Sequence, residues 1–284
     1  MLLSSQTMVL QRTHGYEGCV RKFKEIGFDA YDFSMFGMVN EGNPLNGKDY
    51  LETAKSLRKV ADEAGIICNQ THAPFPLYKP NDENWNASIM EYIVRSLEIT
   101  SVLGGKICIV HPYNHWSPET NAEKVYLPLL PYCQKYGVKI ALENMWSWPA
   151  SSATAVPCAC STKENFLQHL SLLDPEWYVA CLDIGHAEMI GEYASAKDLI
   201  YALGSRLQSL HVHDNDKKYD LHTYPYNGKI EWEGIFTALR EIGYKGDLTF
   251  EADFFIEKYP QELREDALRF LYKIGRYMID RIVG

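Results

Sequence analysis

The chain has 284 residues, 46% hydrophobic and 23% charged, an ordinary balance for a globular protein with a substantial core. Its formal net charge of −9 argues against nucleic acid or an anionic membrane as a partner, because both select basic surfaces. No run approaches the ~20 apolar residues of a membrane-spanning helix, and the opening MLLSSQTMVL lacks the basic start and apolar stretch of a signal peptide.

In chain order, strand-length apolar runs fall at Met8–Arg12, Ala30–Phe33, Ile66–His72, Lys106–His111, Lys139–Asn144, Tyr178–Asp183, Leu207–His213 and Asp247–Ala252. Between them, apolar residues recur at three and four positions over Leu51–Ala64, Ala87–Leu103, Asn165–Leu173, Ala194–Leu203, Trp232–Ile242 and Pro260–Ile282, which predicts helices. Gly27, Gly65, Gly137, Gly204 and Gly243 stand where left-handed helix stops are expected. Strands alternating with helices predict a parallel sheet, and eight such units fit a (β/α)8 TIM barrel of the α/β class, one domain over residues 1–284. An open doubly wound sheet is the alternative. No GxGxxG or P-loop fingerprint follows any strand, so no dinucleotide cofactor is expected.

The cysteines are Cys19, Cys68, Cys108, Cys133, Cys158, Cys160 and Cys181. Their odd number and irregular spacing make a poor disulfide framework, so a cytoplasmic location is expected.

The informative residues sit at the carboxyl ends of the apolar runs: His72, His111, Glu143, Asp183 with His186, His211 with His213, and Glu251. Asp220 and His222 follow in the loop after the seventh run. In a parallel barrel these ends converge on one rim. Ionisable side chains are rarely buried unless paired or bound to metal, so this set predicts a divalent-metal site. Imidazole and carboxylate without clustered thiolate suit Zn, Mn, Fe or Co. His211 and His213 are two apart and share one side of a strand, so either could be the ligand.

These motifs (CNQTHAP, CIVHP, ALEN, CLDIGH, LHVHDND, DLH and TFEAD) resemble those of the xylose-isomerase-like barrel superfamily, which holds sugar and sugar-phosphate isomerases and epimerases, inosose dehydratases and endonuclease IV. The resemblance runs from about Ile66 to Glu251. Its ketose 3-epimerases imply one metal held by Glu143, Asp183, Glu251 and either His211 or His213, with His186 contacting a substrate oxygen. The run Asp214-Asn215-Asp216 favours His211, whereas the epimerase pattern of two histidines favours His213. Endonuclease IV implies up to three metals, with His72, His111, His186, Asp220 and His222 as further ligands.

Two enzymatic readings follow. In a carbohydrate isomerase or epimerase, the metal would stabilise an enediolate, and Glu143 and Glu251 would be the catalytic acid/base pair on opposite faces of the substrate carbon. His186, Trp116 and Trp146 are the expected substrate contacts, among rim aromatics that include Phe75, Tyr78, Tyr113 and Trp148. A related dehydratase would use the same site but expel a hydroxyl. The other reading, a phosphodiesterase acting on abasic DNA, needs a basic groove; Lys79, Lys217, Lys218 and Lys229 supply no arginine cluster. The expected partner is a small sugar or polyol, with or without phosphate, rather than nucleic acid or a membrane. A homo-oligomer is compatible with the chain.

Overall fold

The repeating strand–helix pattern becomes eight parallel strands, each followed by a helix. The computed structural model describes residues 1–284 apart from the side chain of Asp253. The strands are β1 (Leu3–Ser5), β2 (Ala30–Ser34), β3 (Ile67–His72), β4 (Ile107–Ile109), β5 (Lys139–Glu143), β6 (Tyr178–Asp183), β7 (Leu207–His211) and β8 (Leu248–Phe250). The main helices are α1 (Met8–Ile26), α2 (Tyr50–Ala64), α3 (Glu83–Leu103), α4 (Leu127–Tyr136), α5 (Lys163–Ser171), α6 (Ala196–Leu203), α7 (Trp232–Glu241) and α8 (Arg264–Val283). Strands β2 to β7 form one parallel sheet in chain order, and β1 pairs with β8. Single parallel bridges, Gln6 to Asp32 and Val212 to Phe250, link the two sheets on either side. Gly27 and Gly65 end α1 and α2 at φ 119° and 70°, backbone that a Cβ would strain.

The strand expected at Met8–Arg12 is instead the start of α1. The chain turns polar after Leu10, and its next buried residues, Cys19, Val20, Phe23 and Ile26, recur at helical spacing. The first strand lies upstream, where two serines interrupt the apolar run. They are tolerated because the strand interior is itself polar at that level: Ser4 Oγ donates to Thr249 Oγ1 at 2.7 Å, and Asn69 Nδ2 reaches Ser4 Oγ at 3.0 Å.

Side-chain alternation along the strands positions the site. Ile109, Ala141, Val179 and Cys181 form a small apolar cluster separate from the main core between strands and helices. Two residues beyond Ile109, Ala141 and Cys181 come His111, Glu143 and Asp183, which therefore point the same way at the strand ends. Small or polar residues support the other functional positions: Ser209 precedes His211, and Thr249 precedes Glu251, each by two. No helix among the described residues is long and apolar enough to cross a membrane. All seven cysteines are unpaired.

Candidate metal centre and active site

Three strand ends meet at one imidazole. His211 Nδ1 lies 3.1 Å from Glu143 Oε1 and 3.0 Å from Glu251 Oε2. Behind the ring, His211 Nε2 faces Asp32 Oδ2 at 3.2 Å. Gln70 Nε2 donates to the same Asp32 oxygen at 3.0 Å, and Ser209 Oγ donates to Gln70 Oε1 at 2.6 Å. The second oxygen of each glutamate is also held: Gln6 Nε2 donates to Glu251 Oε1 at 2.6 Å, and His111 Nε2 lies 3.0 Å from Glu143 Oε2. His72 Nε2 stands 3.4 Å from that oxygen. Glu143, Asp183, His211 and Glu251 each offer one donor atom, and the four atoms lie within 4.8 Å of one another; so do those of His72, Glu143 and His211.

A second group lies beside this floor, nearer the rim. His186, His213, Asp220 and His222 offer donors within the same 4.8 Å limit. Asp220 Oδ2 is 3.1 Å from His222 Nε2 and 3.5 Å from His186 Nε2, and the rings of His213 and His222 stack at 4.1 Å. Asp183 joins the groups: its Oδ1 caps the following helical turn by accepting from the His186 backbone N–H at 2.7 Å, and lies 3.0 Å from His213 Nε2. Asn144 fixes this junction, accepting from the Asp183 N–H at 2.7 Å and donating to its carbonyl at 2.8 Å. The structure thus puts His211 on the floor with both glutamates and His213 in the rim group. Both histidines turn inward, as their spacing predicts.

The donor set fits a cation. Asp183 Oδ2, Asp220 Oδ1 and His213 Nε2 are buried yet make no well-directed hydrogen bond among the described residues, an arrangement that is costly without a further partner. Electrostatics point the same way. Burial works to lower the proton affinity of His211, but neighbouring Cys181, Glu251 and Glu143 outweigh it and raise its pKa well above the usual imidazole value. Burial similarly opposes protonation of His186 and His222. Asp183 and Asp220 nonetheless raise His186 well above normal, and Asp220 and Glu251 push His222 up to about 10. Burial alone would raise the carboxyls, yet His211 and His111 hold Glu143 well below the ordinary range, and His211 holds Glu251 down. Positive charge is stabilised at the points where the carboxylates converge. His111 differs: burial outweighs Glu143 and lowers its pKa.

Above the floor opens a cavity of about 740 Å³ whose lining includes Phe75, Tyr78, Tyr113, Trp146, Trp148 and Phe254. Glu143, Glu251, His111, His186, Asp220 and His222 reach its surface. Trp116, expected to touch substrate, does not line it. That ring packs behind Tyr78 and Tyr113, at 5.1 and 5.0 Å between ring centres, and those two tyrosines face the cavity in its place.

Gln6, Asp32, Gln70 and Asn144 were not singled out from sequence. Asp32 carried a usable signal, a carboxylate inside the strand-like run Ala30–Phe33. The neutral amides carried none.

Parallel strands with helices between them, and buried carboxylates and imidazoles gathered at the strand ends, define an α/β protein with a candidate metal site. A family model described as a xylose isomerase-like TIM barrel matches residues 20–274, and the chain belongs to that family. The uncharacterized protein MJ1311 of Methanocaldococcus jannaschii is 25% identical over 242 residues, covering 82% of this chain and 77% of its own. Among solved structures, D-psicose 3-epimerase in the presence of D-fructose superposes with a TM-score of 0.73 and 14% identity, covering 100% of both chains. The IolI protein with a bound zinc atom superposes at 0.71 and 17% identity, covering 99% of this chain and 98% of its own. At these identities the likeness is one of fold.

Proposed function

We propose that the chain is a single-domain, closed (β/α)8 barrel that isomerises or epimerises a sugar or sugar phosphate, using a divalent cation held by Glu143, Asp183, His211 and Glu251. The observation that carries this reading is the approach of Glu143 and Glu251 to one point, the Nδ1 of His211, at the bottom of an aromatic-walled cavity. A zinc- or manganese-like cation there supplies positive charge beside the carbonyl and hydroxyl oxygens of a bound sugar. The zinc in the IolI structure and the sugar chemistry named for the psicose epimerase support the assignment. The seven unpaired cysteines suit a cytoplasmic enzyme of carbohydrate metabolism.

The protein's own groups divide the work. Glu143 and Glu251 reach the reaction point from β5 and from beyond the end of β8, each with its other oxygen occupied, by His111 and by Gln6. The inward oxygens are the ones able to take and return a carbon-bound proton. His186 keeps its Nδ1 on the Asn144 carbonyl at 2.9 Å, which turns Nε2 toward the cavity and a substrate hydroxyl. Trp146 and its aromatic neighbours present flat apolar faces to a sugar ring and exclude water.

The test is proton exchange with solvent. The metal-loaded protein, incubated with ketoses in D₂O, should place deuterium on carbon, read by NMR. Glu143→Gln and Glu251→Gln keep an oxygen that can ligate but cannot accept a proton, so turnover should fall about 10²–10⁴-fold while some metal is retained. Full activity in both variants would overturn the acid/base assignment.

One observation favours a second reading, a multi-metal phosphodiesterase: the three donor groups together could hold more than one cation. The rim opposes it. Lys79 lies 3.3 Å over the Trp85 ring, Lys217 pairs with Glu188 at 3.3 Å, and Lys218 covers Tyr219, so these cations are already engaged. Binding to abasic duplex DNA should be weak and unspecific at physiological salt, and efficient metal-dependent incision would reverse the ranking.

A further inference from the structure

The chain between the end of β7 at His211 and the start of α7 at Trp232 is one long loop, and it carries Asp220 and His222 of the rim group. Loops of that length are uncommon in compact domains unless something orders them for a task. Here the order comes from one carboxylate. Asp214 is fully buried, and its Oδ1 accepts from the backbone N–H of Asn215 at 2.8 Å and of Ile230 at 3.2 Å. Its Oδ2 accepts from the backbone N–H of Tyr226 at 2.9 Å and from the Trp232 indole at 3.1 Å. Four neutral N–H donors converge on a group that can accept on both oxygens. The Asp214 backbone also exchanges hydrogen bonds with Thr223, at 2.8 and 3.1 Å. The start of the loop is thereby tied to Thr223, Tyr226 and Ile230, and Asp220 and His222 lie inside the bracket. Two features fit this closure. Gly228 passes so near that a Cβ there would lie 2.1 Å from Asp214 Oδ1. His222 holds a left-handed backbone, φ 43°, which for a residue with a side chain persists only where its surroundings impose it. The next two residues extend the support. Asn215 Nδ2 donates to the Gly185 carbonyl at 2.8 Å, beside His186, and Asp216 Oδ1 accepts from the Tyr219 N–H at 2.8 Å, beside Asp220.

We propose that Asp214 is the positioning residue of the rim: by closing the loop on itself it sets Asp220 and His222 against His186 and His213, and so governs how a substrate is held above the floor. The inference rests on the isomerase or epimerase reading for what the rim donors touch, and adds the residue that places them. Asp214 is buried beneath the loop, so its effect on a sugar passes through Asp220 and His222.

The experiment reads loop order and sugar binding in the zinc-loaded protein. Asp214→Asn keeps the shape but turns one acceptor oxygen into an NH₂ that faces two N–H donors. Amide hydrogen exchange over residues 215–230 should quicken about tenfold or more, with the strands and the zinc content unchanged. Binding of D-fructose, measured by calorimetry, should weaken about tenfold or more. The double variant Asp214→Asn/Asp220→Ala should bind D-fructose no more weakly than the weaker of its two single variants, because both act on one set of contacts. Gly228→Ala, at an exposed position and without change of charge, should reproduce both effects more mildly, and it carries the test if Asp214→Asn fails to fold. Unchanged exchange in the loop overturns the positioning role. So do losses of affinity that add in the double variant, since addition is what independent damage to the fold gives. An unaltered protein that binds no D-fructose overturns the sugar reading alone, and exchange in the loop then decides the role of Asp214.

Discussion

The two histidine–carboxylate groups differ in how their donors are held. On the floor, His211 and the two glutamates each have a partner on the side away from their meeting point: Asp32 behind His211, Gln6 behind Glu251 and His111 beside Glu143, while Asp183 Oδ2 has none among the described residues. Its residues come from strand ends, and His211 is completely buried. The rim group depends on Asp220, which lies on the loop after β7 with its side chain 19% exposed, and its His213 Nε2 and Asp220 Oδ1 remain unsatisfied. Rigid strand ends backed by hydrogen bonds hold ligands more accurately than a loop does. On the proposed reading, the floor would hold its cation the more tightly. The rim, on the same reading, would take a weakly held ion or substrate oxygens.

The sharpest way to break this contrast is to cut each group separately. Asp183 touches both, so Asp183→Ala should lower metal affinity by more than about 100-fold, since even an outer partner of a ligand is typically worth 10–100-fold. Asp220→Ala alters the rim alone and should leave one ion per chain, with affinity within about tenfold of the unaltered protein. Elemental analysis of dialysed protein measures both. Equal loss in the two variants would show that the groups act as one multi-metal centre.

The candidate donors of both groups were legible in the sequence, whereas their partitioning and backing were not, for a physical reason. His111, Glu143, Asp183 and Glu251 stood out because each interrupts or ends an apolar run, where an unpaired ionisable group is expensive. Asp32 obeys the same rule but lies inside its run, so a search of run ends passes over it. Gln6 follows a strand whose serines hid it, because a polar strand interior reverses the usual apolar signal. Trp116 and Trp146 look alike in sequence, and only the loop paths set one behind Tyr113 and the other on the cavity wall. Choosing between His211 and His213 needed the partners across the strand ends, Glu143 and Glu251 for one and Asp183 and Asp220 for the other.

A smaller effect sharpens the floor itself. Asp32 holds His211 through Nε2, which leaves Nδ1 turned toward the glutamates. Asp32→Asn keeps the shape but weakens that polarisation and should lower metal affinity about 10–100-fold. Asp32→Glu lengthens the side chain by one methylene in a fully buried space and should do no better. Metal affinity unchanged in Asp32→Asn would mean that the ring is positioned by packing alone.

The smallest effect per step is a pH dependence whose direction metal should reverse. In the metal-free protein His211, His186 and His222 have raised pKa values, so each binds its proton more tightly folded than unfolded. Their contribution to stability is fully present below the unfolded value of about 6.5 and is lost as pH rises through the folded values, about 10 for His222. Glu143, Glu251 and Asp220 are shifted downward, so their contribution is present above the unfolded carboxylate range of about 4 and is lost as pH falls below it. Metal-free protein should therefore be most stable between about pH 4.5 and 6.5 and weaken toward pH 10. A cation requires the imidazole it binds to be deprotonated, so metal affinity should rise over the same upper window, by at most about tenfold per pH unit for each proton displaced. Denaturant unfolding of chelated and zinc-loaded protein at pH 6, 7.5 and 9 separates the two trends. Stability of the chelated protein that stays flat from pH 6 to 9 would show that these histidines are not held protonated by their carboxylates. A fall in the chelated protein alone, with the loaded protein steady or rising, would show protons and metal competing for the same donors.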